Sequence, residues 1–222
     1  GSGGSGYWLN GDETFGNKMY SVTCNQTNGY YRYTRITAET VGKNGAVSYT
    51  TEEGQNYERF LTLMAFDNGC IAVPYHWYES RRPDLNPCYF WRLDESTGQF
   101  SRVDCEWTDF LNGHEAVDWE LAGEKYGWWI YLRHATPYKG RVYYIVTPGI
   151  SMNAPIGFFS AAMDANGDVT SKRHAFEEGK AHAIDIAVVG GAMYVMTVRY
   201  DAADSIVHSI WKTADGEQFT TL

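Results

Sequence analysis

Apolar and polar residues alternate along most of the chain in short runs, and most runs end at a glycine-containing turn. Alternation with a period of two is typical of a β-strand with one buried face, whereas an amphipathic helix repeats at longer intervals. In four places a tight turn is followed by an apolar strand, which is the pattern of a β-hairpin. These places are 15–24, 66–75, 138–148 and 189–200.

A second hairpin follows each of these segments, at 30–49, 89–103, 158–172 and 209–221. In its last three copies an aspartate opens the turn, namely Asp94, Asp164 and Asp215. An aspartate at the start of a turn can accept hydrogen bonds from backbone N–H groups just ahead of it. We therefore expect these carboxylates to fix the turns between paired strands.

Two hairpins per unit give four strands, and the unit occurs four times. Its equivalent residues Met19, Cys70, Val142 and Met193 are about 51, 72 and 51 residues apart. A repeat of this length, with short strands and no helical periodicity, is typical of a β-propeller. The sequence predicts an all-β fold: a small β-propeller of four blades, each with four antiparallel strands, either complete or part of a larger propeller.

The predicted domain covers residues 7–222, and residues 1–6 (GSGGSG) have the composition of a flexible linker. Its approximate blades are 7–53, 56–107, 128–177 and 182–222. An insertion at 108–127 accounts for the one long interval between repeats.

The turn from Thr213 to Phe219 resembles the Asp box of sialidase-type propellers, which combines Ser or Thr, Asp, Gly and an aromatic residue. It is one residue short between Asp215 and Gly216, and the turns at Asp164 and Asp94 depart further. The resemblance implies a propeller blade, as in lectin-like or phage receptor-binding propellers. It does not imply sialidase activity, because the box is a folding element remote from chemistry in that family.

Two long connections are predicted to leave the same face of the propeller, since strands run alternately up and down. They are 76–87 within the second unit and 106–127 after it. Arginine can bind carboxylates or sugar hydroxyls, and tryptophan offers a flat face for stacking. The predicted ligand-binding residues are Trp77, Tyr78, Arg81, Arg82, His114, Glu115 and Trp119. Alternatively, the two arginines pair with Glu79, Asp84 or Asp118 and only hold the loops.

Composition narrows the possible partners. The formal charge is −9, from 27 acidic and 18 basic residues, which disfavours binding to nucleic acid. No apolar run approaches the roughly 18 residues of a membrane-spanning helix, so we expect no membrane insertion. Aromatic residues make up 16% of the chain; most suit sheet packing, and the remainder could stack on sugars. The histidines are scattered and no CxxC pair occurs, so we predict no metal site and no cofactor.

Two of the four cysteines are predicted to face each other. Cys88 and Cys105 lie at equal distances from the centre of the second unit's outer turn, near Ser96 and Thr97, so they should be opposite on neighbouring strands. Facing positions can approach disulfide distance, and we expect a bond in an oxidising environment. Cys24 and Cys70 are expected to be unpaired.

These features favour a non-catalytic recognition module that binds a carbohydrate or a receptor. Such a module would belong to an extracellular or viral adhesion protein, with a glycan or cell-surface receptor as its partner. One alternative is a sialidase-like glycoside hydrolase fragment, which needs two carboxylates roughly 5–10 Å apart; Glu115, Asp118 and Glu120 could supply them. Another is a structural subunit that joins neighbouring domains of a larger assembly. No catalytic residue is predicted.

Overall fold

The computed structural model describes residues 5–15, 18–27, 30–40, 42–50, 59–66, 69–75, 89–104, 130–148, 157–201 and 205–222. Within these ranges the chain is almost entirely β-strand, and the only helical element is a short 3₁₀ turn at Glu177–Gly179. No helix in this part of the chain is long and apolar enough to cross a membrane.

The strands form four sheets of four. The first sheet comprises β1 (Ser5–Phe15), β2 (Lys18–Thr27), β3 (Tyr30–Thr40) and β4 (Ala46–Thr50). The second comprises β5 (Arg59–Phe66), β6 (Gly69–Tyr75), β7 (Tyr89–Asp94) and β8 (Gln99–Asp104). The third comprises β9 (Ile130–Tyr138), β10 (Arg141–Pro148), β11 (Gly157–Met163) and β12 (Val169–His174). The fourth comprises β13 (His182–Val189), β14 (Ala192–Asp201), β15 (Ser205–Thr213) and β16 (Thr220–Thr221).

Each sheet is a meander in which neighbouring strands are consecutive in the chain and antiparallel. The first strands of the sheets lie next to one another, because β1 contacts β5, β5 contacts β9, and β9 contacts β13. The sheets therefore radiate as blades from an axis lined by their first strands. The predicted all-β propeller with blades of four antiparallel strands is confirmed. The first strand, β1, begins at Ser5, and Ser5 pairs with Thr27.

Apolar side chains between the sheets form the core. Between the first and second sheets, Tyr20, Ile36 and Ala38 pack against Ala65 and Leu93. Ile36 and Leu93 are fully buried. Strand alternation explains this arrangement, because every second residue of a strand points to the same face.

The third and fourth sheets share a larger aromatic core. The rings of Phe158 and Phe176 are 5.5 Å apart between centroids, and Phe176 lies 5.2 Å from both Trp211 and Phe219. Buried aromatic rings of this kind contribute large apolar areas and favour edge-to-face or offset contacts. Around them lie Tyr138, Tyr143, Ile145, Ala181, Ala183, Ile186, Met193 and Val195.

The turns between third and fourth strands are built as the sequence predicted. The Asp94 carboxylate accepts the Ser96 N–H at 2.9 Å, and the Asp164 carboxylate accepts the Asn166 N–H at 2.8 Å. The Asp215 carboxylate accepts the N–H groups of Glu217 and Gln218, both at 2.8 Å. The Gln218 N–H is the main reason that the pKa of Asp215 is lowered. The predicted role of these aspartates is confirmed.

A glycine in each of these turns lies against the preceding blade. Gly98, Gly167 and Gly216 all have left-handed backbones, with φ of 71°, 85° and 82°. A methyl group added at Gly98 would lie 3.8 Å from the ring of Tyr49, whereas one added at Gly167 would overlap the Arg92 guanidinium. Glycine therefore serves both the turn and the contact between blades.

Gly216 lies in similarly close contact with the preceding blade. The Tyr143 hydroxyl of the third sheet donates a hydrogen bond to the Gly216 carbonyl at 3.1 Å, and a methyl group at Gly216 would overlap that hydroxyl. Gly190 is also left-handed, with φ of 59°, but a methyl group there would meet nothing within 4 Å. A substitution at Gly190 therefore tests backbone strain alone, whereas a substitution at Gly216 tests backbone strain together with packing between blades.

We predict that Gly190→Ala destabilises the protein by about 1–2 kcal/mol, the cost of a left-handed non-glycine residue. Gly216→Ala should cost a further ~1–3 kcal/mol, because the added methyl overpacks the blade interface. Urea unfolding followed by circular dichroism measures both values. Equal losses in the two variants would show that the contact with Tyr143 is unimportant.

His174 is buried between the third and fourth sheets, with only 8% of its surface exposed. Its Nε2 lies 2.8 Å from the Ser160 hydroxyl, and its ring is 5.5 Å from the centroids of Tyr143 and Phe158. Burial, followed by the nearby charge of Lys172, lowers the pKa of His174 to about 4. The folded protein therefore holds this imidazole neutral.

This burial predicts a loss of stability in acid. Because the pKa of His174 is lower in the folded than in the unfolded state, the unfolded chain takes up the proton first as pH falls below about 6.5. Stability should be highest above that pH and should decline toward pH 4, with a contribution from His174 on the order of 3 kcal/mol. Urea unfolding at several pH values measures the slope, which His174→Gln should reduce.

His182 is half-buried, and burial lowers its pKa as well. The dependence of stability on pH should therefore weaken in His174→Gln without disappearing. The matched control is His208→Gln, which removes an exposed imidazole and should leave the slope as in the wild type. An unchanged slope in His174→Gln would contradict the prediction.

Candidate functional site

The seven residues predicted to bind a ligand lie outside the described residues, in the connections 76–88 and 105–129. What the structure gives is where these connections leave the blades. β6 ends at Tyr75 and β7 begins at Tyr89, while β8 ends at Asp104 and β9 begins at Ile130. In an antiparallel meander the end of strand two, the start of strand three and the end of strand four lie at the same end of the sheet.

The two ends of the propeller consequently differ. At one end, here called the turn face, lie the turns between strands one and two and between strands three and four, such as 139–140 and 190–191. At the other, here called the loop face, are the strand ends that the connections 51–58, 76–88, 105–129, 149–156 and 175–181 join. Ligand-binding residues are commonly found on loops that a rigid scaffold holds in place. The loop face is therefore where a site is expected.

The proposed cysteine pair also lies outside the described residues. The outermost described pair of its hairpin is Tyr89 opposite Asp104. Each cysteine is one position beyond that pair on its own strand, so a register continued by one step would make them opposite. The disulfide between Cys88 and Cys105 stays a prediction.

One described connection of the loop face, between β12 and β13, is held by an ion-pair network. Arg199 donates from Nη1 to Glu177 Oε2 at 2.7 Å and from Nε to Asp201 Oδ1 at 2.8 Å. The bond to Asp201, followed by the bond to Glu177, raises the pKa of Arg199. The backbones of Glu177 and Glu178 are left-handed, with φ of 49° and 55°. The arginine thus fixes an unusual turn, and both of its carboxylate partners are already engaged.

The first strand of every blade carries a β-bulge. The register shifts by one residue between Leu9 and Gly11 in β1, between Phe60 and Thr62 in β5, and between Ala183 and Asp185 in β13. In β9 the shift falls between the partners of Tyr143 and Ile145. Bulges redirect side chains and are common beside active sites.

These bulges fall at equivalent positions of the repeat. Counting back by the same number of residues from Met19, Cys70, Val142 and Met193 leads to Gly11, Thr62, His134 and Asp185. The four residues are therefore related by the repeat, one on each strand that lines the axis. Two of them, His134 and Asp185, carry titratable side chains.

His134 and Asp185, here called the axial pair, lie on neighbouring first strands. His134 Nδ1 is 3.5 Å from Asp185 Oδ1, and 43% and 60% of the two side chains are exposed. The Thr136 hydroxyl donates to the His134 carbonyl at 2.6 Å, and Asp185 Oδ1 accepts the Ile186 N–H at 2.8 Å. The pair is thus held by its own strands while its remaining polar atoms stay accessible.

The backbone of His134 is left-handed, with φ of 58°. Non-glycine residues adopt this conformation at a cost, and such residues are often found at functional sites. An exposed histidine and aspartate at hydrogen-bond range can donate to and accept from hydroxyl groups. Among the described residues, no group of three His, Cys, Asp or Glu side chains could hold a metal ion.

The sequence analysis does not predict the axial pair, because it considers His134 only for metal-binding motifs among nearby residues. The signal was present in the repeat: His134 and Asp185 are separated by the same interval as Val142 and Met193. A polar residue that recurs at the repeat period in the first strands of two consecutive blades is expected near the axis.

Comparisons with known proteins add little to this description. No family model matches the sequence, and no curated protein matches it. One similar solved structure is described as the Bacteroides ovatus xyloglucan PUL GH43B, with 12% identity and a TM-score of 0.37. The match covers 95% of this chain but only 40% of that protein. Another, an exo-1,5-alpha-L-arabinanase from a bovine ruminal metagenomic library, has 11% identity and a TM-score of 0.40, and the match covers 95% and 76% of the two chains.

We predict that the strained backbone at His134 tolerates asparagine but not a β-branched residue. Asparagine enters the left-handed region more readily than most residues, so His134→Asn should change stability by less than about 0.5 kcal/mol. His134→Val should cost about 1–2 kcal/mol. The control is His208→Val in the regular strand β15, which should be tolerated. Thermal and urea unfolding measure these effects; a harmless His134→Val would contradict the assigned conformation.

Proposed function

We propose that this propeller is a carbohydrate-recognition module, without chemistry of its own, which binds a glycan where the axis opens onto the loop face. The observation that carries this proposal is the axial pair, in which His134 and Asp185 are exposed, mutually close and held on bulged strands. A glycan presents many hydroxyl groups, each of which needs both donors and acceptors.

The direction of the strands connects the axial pair to the predicted loop residues. β9 and β13 both begin at the loop face, so the axial pair lies only a few residues in from that end. The connection 105–129 leads directly into β9. Trp119 in that connection, and Trp77 and Arg81 in 76–88, would add stacking surfaces and a cation to the site. We propose that these loop residues and the axial pair contact the same ligand.

A cell-surface receptor as the carrier of the glycan, and an extracellular or virion location, derive from the sequence alone and remain predictions. The net charge of −9 agrees with a ligand that is not a polyanion, since like charges would repel it. Neutral oligosaccharides are therefore the first ligands to test.

The second candidate function is glycoside hydrolysis, and the exposed Asp185 carboxylate is the observation that favours it. Two carboxyl groups are required, one of them usually a general acid with a raised pKa. In the described part of the chain, hydrogen bonds lower the pKa values of three carboxyl groups, those of Asp94, Asp215 and Glu217. Asp12 follows the first bulge in sequence and is the residue to vary with Asp185.

The proposal predicts that Asp185→Asn weakens glycan binding at least tenfold, equivalent to about 1.4 kcal/mol, because a charged acceptor is lost. A glycan array would select a neutral oligosaccharide, and isothermal titration would measure its affinity. Asp168→Asn is the matched control, since Asp168 is an exposed aspartate in a turn-face hairpin. Unchanged affinity in Asp185→Asn, or an equal loss in Asp168→Asn, would refute the assignment.

The same samples distinguish binding from hydrolysis. Chromatography of the oligosaccharide after long incubation should show intact ligand if the module only binds. Shortened products that disappear in both Asp185→Asn and Asp12→Asn would establish the second candidate instead. Trp77→Ala and Trp119→Ala should weaken binding without lowering the melting temperature if the loop residues contact the ligand.

A further inference from the structure

Asparagine followed by glycine is a chemically labile pair. The amide nitrogen of the glycine can attack the side-chain carbonyl carbon of the asparagine, because glycine has no side chain that hinders the approach. The sequence contains six Asn–Gly dipeptides. Two of them, Asn44–Gly45 and Asn166–Gly167, lie in described turns between the third and fourth strands of a blade. The same dipeptide therefore occurs in two structural settings that can be compared.

The turn at Asn166 is closely held. The Gly167 N–H donates to the Asp164 carbonyl at 3.1 Å, and the Asn166 N–H donates to the Asp164 carboxylate at 2.8 Å. Gly167 is buried, and a methyl group added there would overlap the Arg92 guanidinium. The Gly167 nitrogen can reach the Asn166 side chain only after this hydrogen bond and this contact open. Local opening costs free energy, which lowers the rate of any reaction that requires it.

The turn at Asn44 is open by comparison. Asn44 and Gly45 are both exposed, and so are Lys43 before them and Ala46 after them. A methyl group added at Gly45 would meet nothing within 4 Å. The Asn44 side chain and the Gly45 nitrogen therefore have room to approach each other without any change in the packing between blades.

We propose that Asn44 is a modification site, at which the folded protein deamidates spontaneously. The Gly45 nitrogen forms a bond to Asn44 Cγ, its proton leaves with the side-chain amide nitrogen as ammonia, and a succinimide ring remains. Water then adds to either ring carbonyl and breaks the bond from that carbonyl to the ring nitrogen. The products are aspartate and isoaspartate, in which the chain continues through the side-chain carboxyl group. Water is the only co-reactant, and the turn gains one negative charge.

The proposal does not rest on carbohydrate binding. The turn at 42–45 joins the third and fourth strands of its blade and so lies at the turn face, at the opposite end from the loop face. Exposed turns of small and polar residues tolerate changes well. Asn44→Asp, which reproduces one of the two products, should therefore keep the melting temperature and the glycan affinity of the wild type.

Peptide mapping by mass spectrometry tests the proposal, with Asn166 as the matched control in the same molecule. The folded wild-type protein is incubated at mildly alkaline pH, and aspartate and isoaspartate are quantified at both positions over time. Asn44 should react at least tenfold faster than Asn166, which corresponds to a difference of ~1.4 kcal/mol in the barrier. Equal rates at the two positions, or a faster reaction at Asn166, would overturn the proposal.

The same incubation in concentrated urea separates the effect of the fold from that of the local sequence. In the unfolded chain the two positions should react at similar rates, because the dipeptides are identical and nothing holds Gly167 in place. A difference between the two rates that persists in urea would refute the structural basis of the proposal. Asn44→Gln should remain unmodified at this position in the folded protein, since the longer side chain closes the ring far more slowly.

Discussion

A single four-stranded sheet with apolar residues on its faces cannot bury them alone, and the structure depends on this constraint. Each blade must be covered by its neighbours, and the buried side chains lie between sheets. The contact is reinforced at the turn face, where Gly98, Gly167 and Gly216 bring one blade against the preceding one. At Gly167 and Gly216 a glycine is needed because the backbone is left-handed and a side chain would overlap the neighbouring blade. The aspartate in the same turn then fixes the backbone that presents the glycine.

The bulges resolve a conflict in the strands that line the axis. A regular strand sends alternate side chains to its two faces, and in a propeller both faces are needed for packing against neighbouring blades. One extra residue on the first strand interrupts this alternation and lets a side chain turn toward the axis without breaking the sheet. His134 shows the cost in its left-handed backbone. A residue in this conformation persists only where the surrounding structure holds it there.

Features that depend on residues close together in the sequence could be predicted, whereas features that depend on residues far apart in the sequence could not. Hairpin turns are local, so the roles of Asp94, Asp164 and Asp215 could be predicted from turn chemistry. The axial pair joins residues of different blades, and neither His134 nor Asp185 stands out among its sequence neighbours. The left-handed turn at Glu177 and Glu178 could not be foreseen, because glutamate has no preference for that conformation; it depends on Arg199 from another strand.

The asymmetry between the two ends of the propeller connects stability with function. The turn face uses short connections, in which aspartates fix the turns between third and fourth strands and the glycines Gly98, Gly167 and Gly216 contact the preceding blade. The loop face can accept the long connections 76–88 and 105–129 at little thermodynamic cost, because the entropy of closing a loop grows only slowly with its length. Under the proposed function, the ligand contacts lie at the loop face while the turn face specifies how the blades pack, and the bulged strands β9 and β13 carry the axial pair.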